Sequence, residues 1–220
     1  MDQKIIFFKE LSELFTNHGH SLYMVGGSVR DYLLGLSLSD MDLVTNATPK
    51  QEKEFLTNAD YTFEKYGSIR VHYKGVKFDI TTLRKESKYL DSRHPGEVIF
   101  TDKLEDDVKR RDLTINALYL SSDLKVIDFV GGQNDLSKKI IKMIGEPNRR
   151  LEEDPLRIVR IYRFALDLGF EIDSELLIAI KNNKNLLSKI RIEKIKEEIH
   201  KSHHPQELVT TLNKLGVNIL

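Results

Sequence analysis

Short β-type runs crowd the first part of this chain and disappear from the last, so no single uniform architecture accommodates the whole. Runs of strand character fall at 21–25, 41–45, 61–65, 69–73 and 76–83, with helix-like stretches at 29–34 and 49–56 between the early ones. Ahead of them, Ile5, Phe8, Leu11, Leu14 and Phe15 recur at helical spacing, and Asn17, His18 and Gly19 supply a stop, which predicts a first helix over 4–16. From Asp154 onward the pattern is helical, with helices expected over 155–168, 174–182, 191–200 and 205–215. The expected fold class is therefore an α/β (α+β) module with a mixed β-sheet over residues 1–137, followed by an all-α domain over 138–220. Residues 85–105 form one long polar stretch with no clear element, too long for a routine connection and so a candidate functional loop.

Composition removes several classes of function. The 220 residues contain no cysteine, which excludes a disulfide framework, a cysteine-ligated zinc site and a thiol nucleophile. No apolar run approaches the roughly 18 residues of a membrane span, and the first residues lack a signal-peptide pattern. The expectation is a soluble, unprocessed, cytoplasmic chain with no membrane partner. Thirty-four basic residues balance thirty-four acidic ones, which argues against a protein whose main work is to coat nucleic acid. A polyanion must be met locally, and residues 61–150, with 18 basic against 14 acidic side chains, are where the basic excess lies. The seven histidines show no metal-site spacing.

Three stretches carry chemistry. Gly26-Gly27-Ser28-Val29-Arg30-Asp31 follows a strand and opens a helix; paired glycines let a backbone approach a phosphate, helix-start N–H groups face it, and Arg30 adds charge. Taken alone, the pair reads equally well as a tight turn. In Ser39-Asp40-Met41-Asp42-Leu43 the two acids sit at i and i+2 of a strand, so Asp40 and Asp42 share one face while Met41 and Leu43 face the core. Converging carboxylates repel unless a hard divalent cation, Mg²⁺ bridging substrate phosphates above all, relieves them. The competing reading is a solvated acidic edge. Asp79, on the polar face of the alternating run Val76-Lys77-Phe78-Asp79-Ile80-Thr81, completes a three-carboxylate cluster if the two strands are neighbours. Such a cluster holds two metal ions and accepts a proton from an attacking hydroxyl, which points to phosphoryl or nucleotidyl transfer.

Those motifs resemble class II nucleotidyltransferases, the tRNA CCA-adding enzymes and related poly(A) polymerases of the polymerase β superfamily. Gly26 to Asp31 followed by Asp40-Met41-Asp42 looks like their first motif, and Arg110-Arg111-Asp112-Leu113-Thr114-Ile115-Asn116-Ala117 like their ribose and nucleotide motif. Asp128-Phe129-Val130-Gly131-Gly132 and the block from Glu152 to Ala165 follow in the family's order. The resemblance implies a catalytic head and a helical neck. It implies catalysis by Asp40, Asp42 and Asp79, with Asp40 and Asp42 as ligands of two Mg²⁺ ions, Mn²⁺ being the alternative. Nucleotide contacts would come from Gly26, Gly27, Ser28, Arg30, Arg110, Arg111, Asp112 and Asn116, the guanidiniums suiting phosphate oxygens.

Asp154, Arg157, Arg160 and Arg163 fall at three-residue intervals, a stripe along one helix whose arginines call for an anion. In the family this Asp and Arg read the incoming base. Cytosine and adenine both present an amino donor beside a ring-nitrogen acceptor, which a carboxylate and a guanidinium satisfy together. Uracil and guanine present the reverse and would leave buried groups unpaired, at about 1–3 kcal/mol each. The implied activity is template-independent addition of C and A from CTP and ATP to the 3′ end of tRNA, with release of pyrophosphate. Tyr89-Leu90-Asp91-Ser92-Arg93-His94-Pro95 resembles the flexible loop of CCA-adding and A-adding members, with Asp91 and Arg93 as its polar residues and His94 where the family commonly has a second arginine. Alternatives within the chemistry are an A-adding enzyme or a poly(A) polymerase; from another class, a catalytically silent nucleotide- or RNA-binding module. Relatives of this kind continue into body and tail domains that grip tRNA, so a chain of this length is expected to hold RNA weakly, or through a homodimer or an accessory RNA-binding partner.

Overall fold

The computed structural model describes residues 2–38, 41–86 and 98–217. They form two compact units, the first taking in residues up to 86, 98–111 and 115–132, the second 112–114 and 133–217.

The first unit begins with α1 (Gln3–Asn17), capped by the Asp2 carboxylate, which accepts the Lys4 N–H at 2.9 Å. Ile5, Phe8, Leu11 and Phe15 are buried, as the spacing predicts, and Phe7 and Ser12 join them, whereas Leu14 is only half-buried. Then follow β1 (Leu22–Val25), α2 (Gly27–Leu33), β2 (Met41–Thr45), α3 (Pro49–Glu52), β3 (Ala59–Asp60), β4 (Ser68–Tyr73) and β5 (Val76–Thr82). The remaining elements are β6 (Arg84–Glu86), β7 (Val98–Phe100), α4 (Leu104–Asp107), β8 (Tyr119–Leu120) and β9 (Val126–Ile127). Seven strands make one sheet in the order β3-β4-β5-β2-β1-β8-β9. Only β2 and β5 run parallel, so the sheet is mixed, as expected. Met24, Met41, Leu43, Phe78 and Ile80 are fully buried on these strands and form the core.

Two expectations change here. The run at 61–65 is not a strand, because Asp60 accepts both the backbone N–H and the hydroxyl of Thr62, a local turn that ends β3. The chain instead makes a 3₁₀ turn over Glu64–Tyr66. The polar stretch over 85–105 does contain elements: β6 pairs with β7, and α4 follows. The tyrosine-to-proline loop with Asp91 and Arg93 lies outside the described residues.

In the second unit α5 (Gly132–Lys138), β10 (Ile140–Ile141), α6 (Pro147–Glu153), α7 (Leu156–Leu168), β11 (Glu171–Ile172), α8 (Ser174–Asn183), α9 (Ile192–His200) and α10 (Pro205–Lys214) follow in order. Helices dominate, with one two-residue parallel pair, β10 with β11, added to the expected pattern. Helix α6 escaped the periodicity reading, although Pro147 at its start and the Glu146 carboxylate, accepting the N–H groups of Asn148 and Arg149, mark it. The change of unit falls at 132/133, five residues before the boundary expected from the sequence. Asp112 to Thr114 join the second unit because Leu113 bridges Met143 and the Thr114 N–H bonds the Lys142 carbonyl. None of the helices among the described residues is long and apolar enough to cross a membrane.

Glu52 is an unexpected core residue. It is fully buried at the end of α3, neither carboxyl oxygen has a hydrogen-bond partner, and burial pushes its pKa from 4.5 up to about 8. The group is held neutral at pH 7 in the fold and ionised in the unfolded chain. Its contribution to stability is therefore complete below about pH 4.5 and ebbs as pH rises toward 8. Glu52→Gln removes that dependence. Between pH 6 and pH 8.5 the unfolding free energy of the wild type is expected to fall further than that of the variant, by on the order of 2 kcal/mol, in denaturant titrations of both. Parallel slopes would show the carboxyl ionising in place.

Candidate active site

The sheet positions the first cluster. On the parallel pair, Asp42 of β2 stands in register with Asp79 of β5, and side chains in register on neighbouring strands project from the same face. Asp42 is exposed between buried Met41 and Leu43, and Asp79 is half-buried between buried Phe78 and Ile80. This is the neighbouring arrangement that the three-carboxylate reading required of the two strands. Asp40 lies outside the described residues. The register continues across the sheet from Asp79 to Arg70 and from Arg70 to Asp60, giving a row of charged side chains on β2, β5, β4 and β3 in which Arg70 stands between Asp79 and Asp60. Arg70 holds Asp79 at 2.7 Å, and Lys77 stands 3.7 Å from it.

The turn before α2 fixes the edge of this cluster. Gly26 adopts φ +72° and ψ −137°, a conformation that side chains resist, and a Cβ there would lie 3.9 Å from Asp42 Oδ2. Ser28, nearly buried, accepts the Asp42 backbone N–H at 3.0 Å, so the Gly26-Gly27-Ser28 turn and the carboxylate strand are pinned together. A divalent cation fits this donor set, since hard oxygens suit Mg²⁺ and Asp42 faces solvent. Among the described residues no three histidines, aspartates or glutamates gather closely enough to bind a metal by themselves. Asp42 is one of the two expected ligands, and Asp79, the third expected catalytic carboxylate, stands in register beside it.

The arginines are more occupied than their sequence positions suggest. Arg30 is buried and donates to Asn116 Oδ1 at 2.7 Å and to Asp31 at 2.9 Å, so these two expected nucleotide ligands hold each other. Arg110 and Arg111 both grip Asp107, at 2.8 and 2.9 Å, and the Tyr119 hydroxyl donates to the same carboxylate at 2.9 Å. Asp107 is fully buried. Burial alone would raise its pKa; the Arg111 and Arg110 guanidiniums outweigh that and hold the carboxyl below its ordinary value. Sequence reading missed Asp107, although its i+3 and i+4 spacing to two arginines was a usable signal.

The second unit carries the other cluster. Asp154 is not on the arginine helix but at the junction where α6 ends and α7 begins, with one carboxylate oxygen accepting the Leu156 N–H at 3.1 Å. Arg157 is almost wholly buried and is held by the Arg150 carbonyl at 2.5 Å and by Glu153 at 3.5 Å. Arg160, whose side chain keeps 35% exposure, pairs with Asp112 at 2.7 Å. Arg163 pairs with Glu198 at 3.1 Å and lies over the Phe164 ring. The anions that the stripe calls for are thus supplied from within: Glu153, Asp112 and Glu198. Burial pushes the Asp112 pKa up, but Arg160 beside it, aided by the Leu113 N–H and Arg157, holds it below the usual carboxylate range.

A mixed sheet with opposed carboxylates on its parallel pair, followed in sequence by a helical unit with buried Asp–Arg pairs, places the chain in the class of α/β nucleotidyltransferase heads with a helical extension. Residues 22–142, more than half of the chain, match the poly A polymerase head domain, and the chain belongs to that family. Curated relatives include the CCA-adding enzymes of Bacillus pumilus, 41% identical over 184 residues, and Bacillus subtilis, 39% identical over 198 residues. These matches cover 84% and 89% of this chain but 46% and 50% of the relatives. The chain thus spans about half the length of the curated relatives it matches. Among solved structures, the Bacillus stearothermophilus CCA-adding enzyme in complex with CTP superposes with a TM-score of 0.88 at 31% identity, covering 99% of this chain and 54% of that one. The Thermotoga maritima CCA-adding enzyme complexed with tRNA gives 0.78 at 25% identity, covering 99% and 52%.

Proposed function

We propose that this chain is the nucleotide-adding portion of a template-independent RNA nucleotidyltransferase, which adds C and A from CTP and ATP to the 3′ end of tRNA in the cytoplasm and releases pyrophosphate. CCA-adding enzymes are nucleotidyltransferases of a generally metal-dependent kind, and the ion proposed here is Mg²⁺. The observation that carries the reading is Asp42 in register with Asp79 beside the Gly26 turn. Asp42, with Asp40, would hold the metal, which when bound would neutralise triphosphate charge and favour ionisation of the attacking hydroxyl. Asp79 is the proton acceptor at that hydroxyl. Arg160, the part-exposed arginine of the stripe, offsets phosphate charge; Arg30, Arg110 and Arg111, locked to Asn116 and Asp107, act mainly as positioning residues. Asp154 and Arg157 select the base. Glu153 and the Arg150 carbonyl fix the guanidinium, so that its donor direction is set before a nucleotide arrives, which is what discrimination by hydrogen-bond pattern needs.

Labelled CTP alone, ATP alone and both together, supplied with Mg²⁺ to tRNA lacking its last three nucleotides, test this directly. Extension by two residues with CTP and by three with both is expected. Addition of A only to tRNA already ending in CC would make it an A-adding enzyme, and a long ladder with ATP alone a poly(A) polymerase. No incorporation and no pyrophosphate would overturn the reading.

A further inference from the structure

On the same sheet face as Asp79, within the first unit, lies a concavity of about 170 Å³ lined by Asp60, Phe63, Ser68, Arg70, Asp79 and Thr81. Resting on the nucleotidyltransferase reading above, we propose that it seats the 3′-terminal nucleotide of the RNA being extended, with Phe63 as a stacking platform for the base and the Ser68 and Thr81 hydroxyls facing the ribose.

Phe63 leaves 58% of its surface in water at the rim of this concavity, and its neighbour Tyr66 leaves 44%. The Tyr66 ring already carries the Lys65 ammonium at 4.7 Å, so a base and a phosphate would both find complementary groups along this edge. Phe100, 38% exposed, extends the aromatic band. Its ring lies so close over Gly67 that a Cβ there would come within 2.6 Å of it, and Gly67 adopts φ +79°. Positive φ and the ring above it together favour glycine at that position. Beside the rings, Ser68 and Thr81 face each other across β4 and β5 with hydroxyls 3.1 Å apart, a pair able both to donate to and to accept from a 2′-hydroxyl.

Charge decides which nucleotide belongs here. Two carboxylates, Asp60 and Asp79, line the concavity against one arginine, so a free triphosphate would be repelled. A terminal nucleoside brings a sugar and a base with no phosphate on its 3′ side. Its 3′-hydroxyl would then lie on the side of Asp79, the residue assigned to take its proton. The size of the concavity admits one sugar, with the base left over Phe63 at its rim.

The test uses the full chain and tRNA ending one cytidine short, with 2-aminopurine as the terminal base in a parallel substrate. Phe63→Ala is expected to raise KM for the tRNA about tenfold and leave KM for CTP within about twofold, the loss of one base–aromatic stack. It should also abolish the quenching of 2-aminopurine seen on binding to the wild type. Phe63→Tyr should restore both, and because the ring is solvent-exposed both variants should melt with the wild type. Unchanged tRNA KM and unchanged quenching in Phe63→Ala overturn the assignment, as does a rise in KM for CTP alone, which would make this the seat of the incoming nucleotide. A wild type that incorporates nothing on any tRNA overturns the nucleotidyltransferase reading and the assignment with it, before any variant is compared.

Discussion

Replacing Asp42 by alanine is expected to remove nucleotide incorporation and leave the fold in place. The side chain is exposed, stands on the solvent face of β2, and is flanked by Met41 and Leu43, which do the packing. What anchors that part of the strand to the turn before α2 is the Asp42 backbone N–H on Ser28, which alanine keeps. What alanine loses is a negative oxygen opposite Asp79. With half of the described carboxylate pair gone, a divalent ion has too few hard ligands to compete with water, and the preorganised charge facing the triphosphate disappears. Losing a single preorganised electrostatic group costs about 10²–10³ in turnover, and a metal ligand should cost at least that. Initial rates of CTP incorporation at saturating Mg²⁺, read beside a thermal melt, check it. Wild-type rates in the variant would end the metal-site reading. Asp42→Asn, which keeps shape and loses charge, should be nearly as damaged.

The carboxylate pair was legible in the sequence because a strand imposes period two. Asp42 between Met41 and Leu43, and Asp79 between Phe78 and Ile80, could face only away from the core. That β2 and β5 are neighbours was not legible, since nothing local specifies which strands pair across 37 residues. The same limit hid the partners of the arginines. Arg160 finds Asp112, and Arg163 finds Glu198, through tertiary folding, so a stripe that seemed to await an external anion is largely neutralised from within. The misread run at 61–65 has a different cause. Its residues have strand character, but the Asp60 side chain offers Thr62 a closer partner than a neighbouring strand, and local hydrogen bonding won. Asp107 was hidden by its company: Glu105, Asp106 and Asp107 look like one solvated acidic run, and only the fold shows that Asp107 points inward while Asp106 meets Lys85 and Lys109 at the surface.

That buried carboxylate is where the largest stability effect is expected. Asp107 accepts from Arg110, Arg111 and Tyr119 and is fully enclosed, so its charge is shared by two guanidiniums that are themselves mostly withdrawn from water. Asp107→Asn keeps the volume and a hydrogen bond for Tyr119 but strands both cations. Breaking one partner out of a buried ion pair costs about 3–5 kcal/mol, far more than the pair contributes over an apolar substitute. For a chain of this size that corresponds to a fall of roughly 10 °C in melting temperature. The pH dependence gives an independent check. Because the folded pKa of Asp107 is held below its unfolded value, the stability it lends is complete above the unfolded carboxylate range and is lost as pH falls through the folded pKa. Wild type should therefore weaken toward acid more steeply than the asparagine variant. Thermal melts of both from pH 7 down to pH 3 measure the offset and the slope together. A shift of less than about 2 °C at pH 7, under 1 kcal/mol, would mean that Arg110 and Arg111 had found other anions and that Asp107 does not hold this segment in place.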